Sequence, residues 1–315
     1  MSSNPKHRLI AVVGPTATGK SRVAVELADS LDGEIINVDS RLFYRGMDVA
    51  TAKPNAAERS GMTHHLIDIL DPDEPFSLSE FLDRARATIT DISSRGKLPI
   101  LVGGSGQYVW ALLEGWKVPE IEPDQELRTE LENTLADEGV SALVSILTQL
   151  SPEIAEKTDR ENPRRVIRAI ERIKSGASSA FDTRSKPDES PYDARVIGLS
   201  VERSVLHQRV LDRLELMKSN GWFDEVVNLR EAGYSDDGRA LSGIGYRQMI
   251  GHLDGKYDFD EAVRKTAVAT NRLIRQQGNW FRRDDPRISW FDMTNDENEG
   301  IRSIVDSASR WLENL

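Results

Sequence analysis

The first third of the chain alternates short apolar runs with segments in which apolar residues recur at helical spacing. A five-residue apolar run at residues 9–13 predicts a buried strand, and the spacing over residues 23–31 predicts a helix. Further strands are predicted at residues 34–38 and 98–102, with a helix between them at residues 81–92. Strands that alternate with helices are typical of a parallel sheet built from βαβ units.

After Gly115 the pattern changes to helices alone. Three are predicted between residues 124 and 174, at residues 127–136, at residues 141–150 and at Pro163–Lys174, where Pro163 suits a first helical turn. Residues 176–193 are rich in Ser, Asp and Pro and predict a loop.

Residues 195–201 predict a return to the sheet, and the rest of the chain is mainly helical. We therefore expect a core domain formed by residues 1–118 and 191–315, interrupted by a helical insertion domain at residues 119–190. The helix Pro163–Lys174 fits either part.

A glycine-rich segment follows the first predicted strand and matches the pattern G-x-x-x-x-G-K-[ST] at every position. Its residues are Gly14, Pro15, Thr16, Ala17, Thr18, Gly19, Lys20 and Ser21. In such a P-loop, backbone N–H groups and the following helix N-terminus bind phosphate oxygens, the lysine adds a cation, and the hydroxyl binds Mg²⁺. The motif predicts a P-loop NTPase-like α/β fold, a parallel sheet flanked by helices, and a phosphorylated or diphosphorylated substrate.

Composition narrows the class of protein further. The 315 residues include no cysteine, which excludes disulfides, Cys-ligated zinc, iron–sulfur clusters and thiol catalysis. The polar start and the absence of any apolar stretch near the length of a membrane span favour a cytoplasmic protein with no membrane contact. The net charge of −11 argues against a nucleic-acid partner unless the basic residues are segregated.

Asp39 ends the second predicted strand, where open α/β sheets place their ligands. With the P-loop and the segments around it, the chain resembles the tRNA dimethylallyltransferases, also called tRNA isopentenyltransferases. The matching segments are residues 39–48, 51–54, 64–68, 103–108, 112–115, 162–165, 168–171 and 243–248.

The resemblance implies transfer of a dimethylallyl group from dimethylallyl diphosphate to the N6 amine of the adenosine 3′ of a tRNA anticodon. Lys20, Arg213 and Mg²⁺ on Ser21 would then neutralise the departing diphosphate. Asp39 would accept the proton of the amine, although a Mg²⁺ ligand or a helix cap remains an alternative for this residue. The partners are the tRNA anticodon stem-loop and dimethylallyl diphosphate, and a monomer is expected.

The resemblance also assigns contacts to tRNA. They fall at Asp39, Ser40, Arg41, Leu42, Ser105, Arg128, Arg164, Arg165, Arg168, Ser242, Gly243, Ile244, Gly245, Tyr246 and Arg247. Three positions depart from the family pattern: Ser105 replaces a more common Thr, the 242–244 segment lacks a common Cys, and Gln276 stands where an Arg is usual. The last change puts a phosphate contact in doubt.

Basic residues are indeed segregated. Residues 160–174 carry six basic and two acidic residues, and residues 261–283 carry six basic and one acidic. Arg164, Arg168 and Arg172 share one helical face, which is either a solvated face or an RNA-binding one. Among the nearby aromatic residues that could stack on bases, the interior is favoured for Trp280, and Tyr246 is left open between core and stacking.

Other features have competing interpretations. The histidine pair at residues 64–65 is predicted to be structural rather than a metal site. Glu114 is also predicted to be structural. A small-molecule kinase or an adenine-nucleotide prenyltransferase on the same P-loop core remains an alternative function, as does a non-enzymatic nucleotide switch or RNA-binding module.

Overall fold

The computed structural model describes residues 6–118, 124–176 and 189–314. The chain divides into two compact units at residues 114/115 and 188/189, so that one unit is built from two separated stretches of sequence. The intervening stretch forms the second unit. Among the described residues, no helix has the length and apolar character that crossing a membrane requires.

The first unit is built on a six-stranded sheet in which all neighbouring strands are parallel, in the order β3-β2-β4-β1-β5-β6. The strands are β1 His7–Val13, β2 Gly33–Asn37, β3 His64–His65, β4 Leu98–Val102, β5 Tyr192–Ser200 and β6 Ile288–Asp292. Val12 of β1 is in register with Val102 of β4 on one side and with Ile197 of β5 on the other. The carboxyl ends of the central strands therefore meet at one edge, where the loops that follow them come together.

Helices flank this sheet. They are α1 Lys20–Ser30, α2 Ala56–Arg59, α3 Leu78–Ser94, α4 Gly106–Leu113, α9 Arg203–Ser219, α10 Trp222–Glu231, α11 Tyr246–Leu253, α12 Phe259–Trp280 and α13 Glu297–Glu313, numbered in chain order. An apolar core forms where α1 and α13 pack against the sheet, through residues that include Val12, Leu27, Ile35, Ile197 and Ile304. This core anchors α1, and with it the loop that precedes α1.

The second unit is helical. It contains α5 Gln125–Glu138, α6 Val140–Leu150, α7 Pro152–Lys157 and α8 Pro163–Lys174. Side chains of Asp124, Ser151 and Asn162 accept hydrogen bonds from N–H groups in the first turns of α5, α7 and α8. These helices enclose a core of their own, formed by residues such as Leu131, Leu143, Leu147, Val166 and Ile170.

Four predicted strands are confirmed as β1, β2, β4 and β5, and the fold class is confirmed as well. The sequence pattern missed β3 and β6, which lie at the two edges of the sheet. β3 has only two residues, and β6 is only partly buried along most of its length, so neither presents a clear apolar run. The short helix α7 was missed as well.

Candidate functional site

The P-loop connects β1 to α1 and closely approaches β5. Gly14 has φ +140, and a Cβ on this residue would lie 2.6 Å from the backbone oxygen of Leu199, so only glycine fits. Gly19 adopts a left-handed conformation immediately before α1, and no side chain caps this helix. No acidic residue lies in the first turn of α1 either, so the N–H groups of this turn suit an anion.

Lys20 supplies a cation whose pKa is lower than that of an ordinary lysine. Its Nζ donates to the carbonyl oxygen of Pro15 at 2.7 Å. Desolvation lowers its pKa to about 8, with a smaller contribution from the Arg213 guanidinium, while the Asp39 carboxylate acts in the opposite direction. The three groups predicted to be catalytic therefore lie close enough to influence one another electrostatically.

Asp39 follows β2 and is held by the buried side chain of Asn37. The Oδ1 of Asn37 accepts the N–H of Asp39 at 2.9 Å, and its Nδ2 donates to the carbonyl oxygens of Asp39 at 3.0 Å and Leu66 at 2.9 Å. One carboxylate oxygen of Asp39 accepts the N–H of Arg41 at 3.0 Å. The carboxylate thus caps a turn at residues 40–43, and the cap uses one oxygen only.

Arg213 joins helix α9 to the P-loop. Its Nη1 donates to Oγ1 of Thr16 at 3.1 Å, and its Nη2 donates to the carbonyl oxygen of Thr51 at 2.9 Å. Burial lowers the pKa of Arg213, and the charge of Asp39 opposes that shift. An arginine still remains protonated under these conditions, so it places a fixed positive charge beside the P-loop.

A cavity of about 410 Å³ opens between the P-loop, the loops after β2 and β4, and helices α9 and α12. One face of α9 contributes Val210, Arg213, Leu214 and Met217. Helix α12 contributes Thr266, Thr270, Leu273, Gln276, Gln277 and Trp280. Thr16 and Asp39 also line the cavity, which therefore presents charged groups together with a substantial apolar surface.

Gln277 is a site residue for which no role was predicted from the sequence. Its buried side chain accepts the N–H of Thr16 at 2.9 Å and donates to the carbonyl oxygen of Gly104 at 3.2 Å. It therefore links α12 both to the P-loop and to the loop after β4. No local pattern could have revealed this contact, because 261 residues separate Gln277 from Thr16.

Comparison with known proteins places this site in a family. The family model described as IPP transferase matches residues 42–284. The chain belongs to the IPP transferase family.

Curated relatives agree with this assignment over most of the chain. A tRNA dimethylallyltransferase of Roseiflexus sp. (strain RS-1) is 44% identical over 87% of this chain and 90% of its own length. One from Halalkalibacterium halodurans is 41% identical over 98% of both chains.

Solved structures show the same similarity. The full-length tRNA isopentenylpyrophosphate transferase of Bacillus halodurans has a TM-score of 0.73 at 40% identity, covering 98% of this chain and 97% of its own. A eukaryotic dimethylallyltransferase, studied while acting on tRNA, has a TM-score of 0.82 at 25% identity, covering 98% and 80%.

Several predicted tRNA contacts of this IPP transferase surround the cavity. Ser40, Arg41, Ser105 and Ile244 line it, and the Oγ of Ser105 accepts the N–H of Ser40 at 3.3 Å. The guanidinium of Arg41 donates to the carbonyl oxygens of Arg239 at 2.7 Å and Ala240 at 3.3 Å. The loop after β2 is thereby tied to the turn that carries Ser242, Gly243 and Gly245. Leu42 lies in the loop after β2, and Arg247 lies in the first turn of α11, which follows the turn at residues 242–245.

The aromatic residues agree only in part with the sequence interpretation. Tyr246 has no exposed surface and its hydroxyl donates to Glu225 at 2.6 Å, so the core alternative applies and its ring cannot stack on an incoming base. Phe281 is buried as well. The interior assignment of Trp280 is wrong, because this side chain is 38% exposed and lines the cavity.

The remaining predicted tRNA contacts lie in the helical unit. Arg128 binds the buried carboxylate of Glu171 through Nη2 at 2.6 Å, and Arg168 lies 3.6 Å from the other oxygen of the same group. Arg164 and Arg165 are exposed, while Arg172 is half-buried, and burial lowers its pKa. Of the helical face predicted from Arg164, Arg168 and Arg172, the first two residues therefore form the accessible part.

The residues predicted to be structural have structural partners. The ring of His65 forms a hydrogen bond with the carboxylate of Glu34 at 2.7 Å, and Arg95 donates to the same carboxylate. The hydrogen bond from Arg95, with that of His65, lowers the pKa of Glu34 to about 2. Glu114 accepts from Arg287 at 2.6 Å.

Proposed function

We propose that this IPP transferase moves a dimethylallyl group from dimethylallyl diphosphate to tRNA and releases diphosphate. Family membership and the names of its relatives support the reaction class. The observation that carries the proposal is a single cavity lined by P-loop residue Thr16, by Arg213, by the carboxylate of Asp39 and by apolar side chains.

The charged groups suit a diphosphate. The uncapped start of α1 offers backbone N–H groups, and Lys20 and Arg213 add two cations beside them. As the bond between carbon and the diphosphate oxygen breaks, negative charge grows on the leaving oxygen. Donors that are already in place stabilise this charge without reorganisation, which is the largest contribution in many enzymes.

The apolar wall suits a prenyl group. Val210, Leu214, Met217 and Leu273 line the cavity, and a five-carbon dimethylallyl chain buried there would be removed from water. Exclusion of water also protects an electrophilic carbon from hydrolysis. A nucleoside triphosphatase has no need of such a wall beside its terminal phosphate.

Asp39 is positioned to act on the nucleophile. We propose that the acceptor is the N6 amine of the adenosine 3′ of the anticodon, a weak nucleophile because its lone pair is delocalised into the ring. Asp39 accepts a hydrogen bond from this amine and takes its proton as the new carbon–nitrogen bond forms. The target base has to leave its stack to enter the cavity, and the surrounding loops with Ser40, Arg41 and Ser105 would bind the nucleotides around it.

The residues present also fit Mg²⁺. Ser21 is exposed at the start of α1, and among the described residues no cluster of three or more His, Asp or Glu side chains forms a separate metal site. Mg²⁺ commonly takes one or two protein groups, phosphate oxygens and several waters. A Mg²⁺ ion held by Ser21 and the diphosphate would offset the charge of the leaving group.

The test is a transfer assay with labelled dimethylallyl diphosphate. Label should pass to an anticodon stem-loop with adenosine 3′ of the anticodon and not to the same stem-loop carrying guanosine there, which lacks the N6 amine. Transfer to AMP instead of RNA would indicate an adenine-nucleotide prenyltransferase. Transfer of phosphate from ATP to a small molecule, without prenyl transfer, would indicate a kinase and overturn the proposal.

A further inference from the structure

Glu225 of α10 holds a loop of the active site through an unusual concentration of hydrogen bonds. Its Oε2 accepts the N–H groups of Asp48 and Val49, both at 2.6 Å, and its Oε1 accepts the N–H of Ala50 at 3.0 Å. Oε1 also accepts the hydroxyl of Tyr246 at 2.6 Å. Three successive backbone donors thus converge on one carboxylate, as they do around a bound anion.

The same loop fixes the orientation of Arg213. Thr51 follows the three donors, and its carbonyl oxygen accepts Nη2 of Arg213 at 2.9 Å, while Nη1 binds Thr16 in the P-loop. The hydroxyl of Thr51 closes the turn by donating to the carbonyl oxygen of Met47 at 2.6 Å. Because a guanidinium is planar and its donors have fixed directions, the position of the Thr51 carbonyl determines how Arg213 faces the cavity.

Tyr246 supplies the fourth donor to the Glu225 carboxylate. Burial and the neighbouring carboxylate of Glu225 raise the pKa of its hydroxyl well above the ordinary value, so the phenol remains a donor at neutral pH. Its ring is fully buried against the cavity, and the preceding Gly245 packs closely on Ala50. The tyrosine therefore holds the Glu225 carboxylate in the direction of the loop.

We infer that Glu225 is a positioning residue for the transfer reaction, acting through the backbone of residues 48–51 to aim Arg213 at the departing diphosphate. The inference rests on the proposed function, which gives Arg213 its role. Carboxylate is required at this position, because an amide offers a single acceptor oxygen. In Glu225→Gln, either the pair of donors at Asp48 and Val49 or the pair at Ala50 and Tyr246 faces an NH₂ group.

The experiment is a double-mutant cycle on Glu225 and Arg213. Single-turnover transfer to tRNA should fall about 10- to 100-fold in Glu225→Gln, since small displacements of a catalytic group cost factors of this size. In an Arg213→Gln background, adding Glu225→Gln should change the rate by less than about twofold, because the group being positioned is already gone. Effects that multiply would show that Glu225 does not act through Arg213, and would overturn the inference.

Two further variants separate positioning from general destabilisation. Glu231→Gln removes a carboxylate from the end of the same helix, where the residue is exposed, and should leave the rate unchanged. Tyr246→Phe removes one of the four donors and keeps the carboxylate, so a several-fold loss is expected, again absent in the Arg213→Gln background. If Glu225→Gln does not fold, this second cycle decides the question.

Binding of inorganic pyrophosphate with Mg²⁺ gives a readout independent of prenyl transfer. The same cycle, measured by calorimetry, should show that Glu225→Gln weakens pyrophosphate binding only when Arg213 is present. A wild-type protein that binds pyrophosphate with this coupling but transfers no dimethylallyl group would contradict the proposed function and not the role of Glu225. Equal weakening in both backgrounds would refute that role.

Discussion

The lowered pKa of Lys20 predicts that the protein loses affinity for dimethylallyl diphosphate in mildly alkaline solution. Desolvation brings this pKa from 10.5 to about 8 in the unliganded protein. A bound diphosphate favours the charged form of the lysine, so binding at a pH above about 8 requires the uptake of a proton. The affinity for dimethylallyl diphosphate is therefore highest at a pH where Lys20 is already protonated. It falls as pH rises through the pKa of Lys20 in the unliganded protein.

The magnitude follows from the same value. If only the protonated form binds, the apparent Kd at pH 9 is about tenfold higher than at pH 7, since roughly one Lys20 in ten retains its proton at pH 9. Calorimetry in buffers of different ionisation enthalpy should then detect uptake of close to one proton per ligand at pH 9 and about 0.1 at pH 7. The diphosphate itself carries no titration in this range that would mimic the effect, provided Mg²⁺ is kept saturating.

Lys20→Arg is the matched control, because arginine stays charged throughout this range. It should lose the pH dependence even if its affinity is lower at every pH. An affinity for dimethylallyl diphosphate that stays constant from pH 7 to pH 9 in the wild-type protein would refute the reasoning. So would a variant Lys20→Arg that shows the same loss, since another group would then be titrating.

Two further predictions concern the nucleophile and the RNA. Asp39→Asn keeps the shape of the side chain but removes its basicity, so single-turnover transfer should fall by about 10² to 10⁴ while diphosphate affinity changes only a few-fold; restoration of the rate by excess Mg²⁺ would instead indicate a metal ligand. Replacing Arg164 and Arg168 together by Ala should weaken tRNA binding and reduce its dependence on log salt by roughly two charges, measured by filter binding across a salt titration; an unchanged slope would place the RNA backbone elsewhere.

The predictable parts of the fold are those whose signal is local. The P-loop, the helix after it and the buried strands β1, β2, β4 and β5 each carry their own pattern within a few residues. Edge strands β3 and β6 do not, because pairing with an existing neighbour lets a short or half-exposed segment become a strand. The local pattern also misplaced Trp280, since an aromatic residue on a helix looks the same whether it faces a core or a cavity.

The candidate site divides in the same way. The P-loop and Asp39 could be found from spacing and position at a strand end, and Arg213 came from family resemblance. Local patterns could not reveal the contacts of Gln277 and Glu225, because most of their partners are backbone groups far away in the sequence, and backbone groups leave no trace in residue identity. What sequence patterns miss here is the set of long-range hydrogen bonds that orient the chemical groups.

The seating of the P-loop against β5 has a consequence for biosynthesis. β1 is paired on one side by β5, Gly14 packs on Leu199, and the Thr16 amide is bound by Gln277. During translation the P-loop is therefore synthesised early, but Gln277, which holds it, is synthesised only near residue 280. At ordinary elongation rates the delay is on the order of ten seconds or more. β1 keeps an unpaired edge until β5 has been synthesised, at about residue 200, and such an edge can pair with other chains. Chains that terminate before Gln277 would lack the hydrogen bond that holds the Thr16 amide.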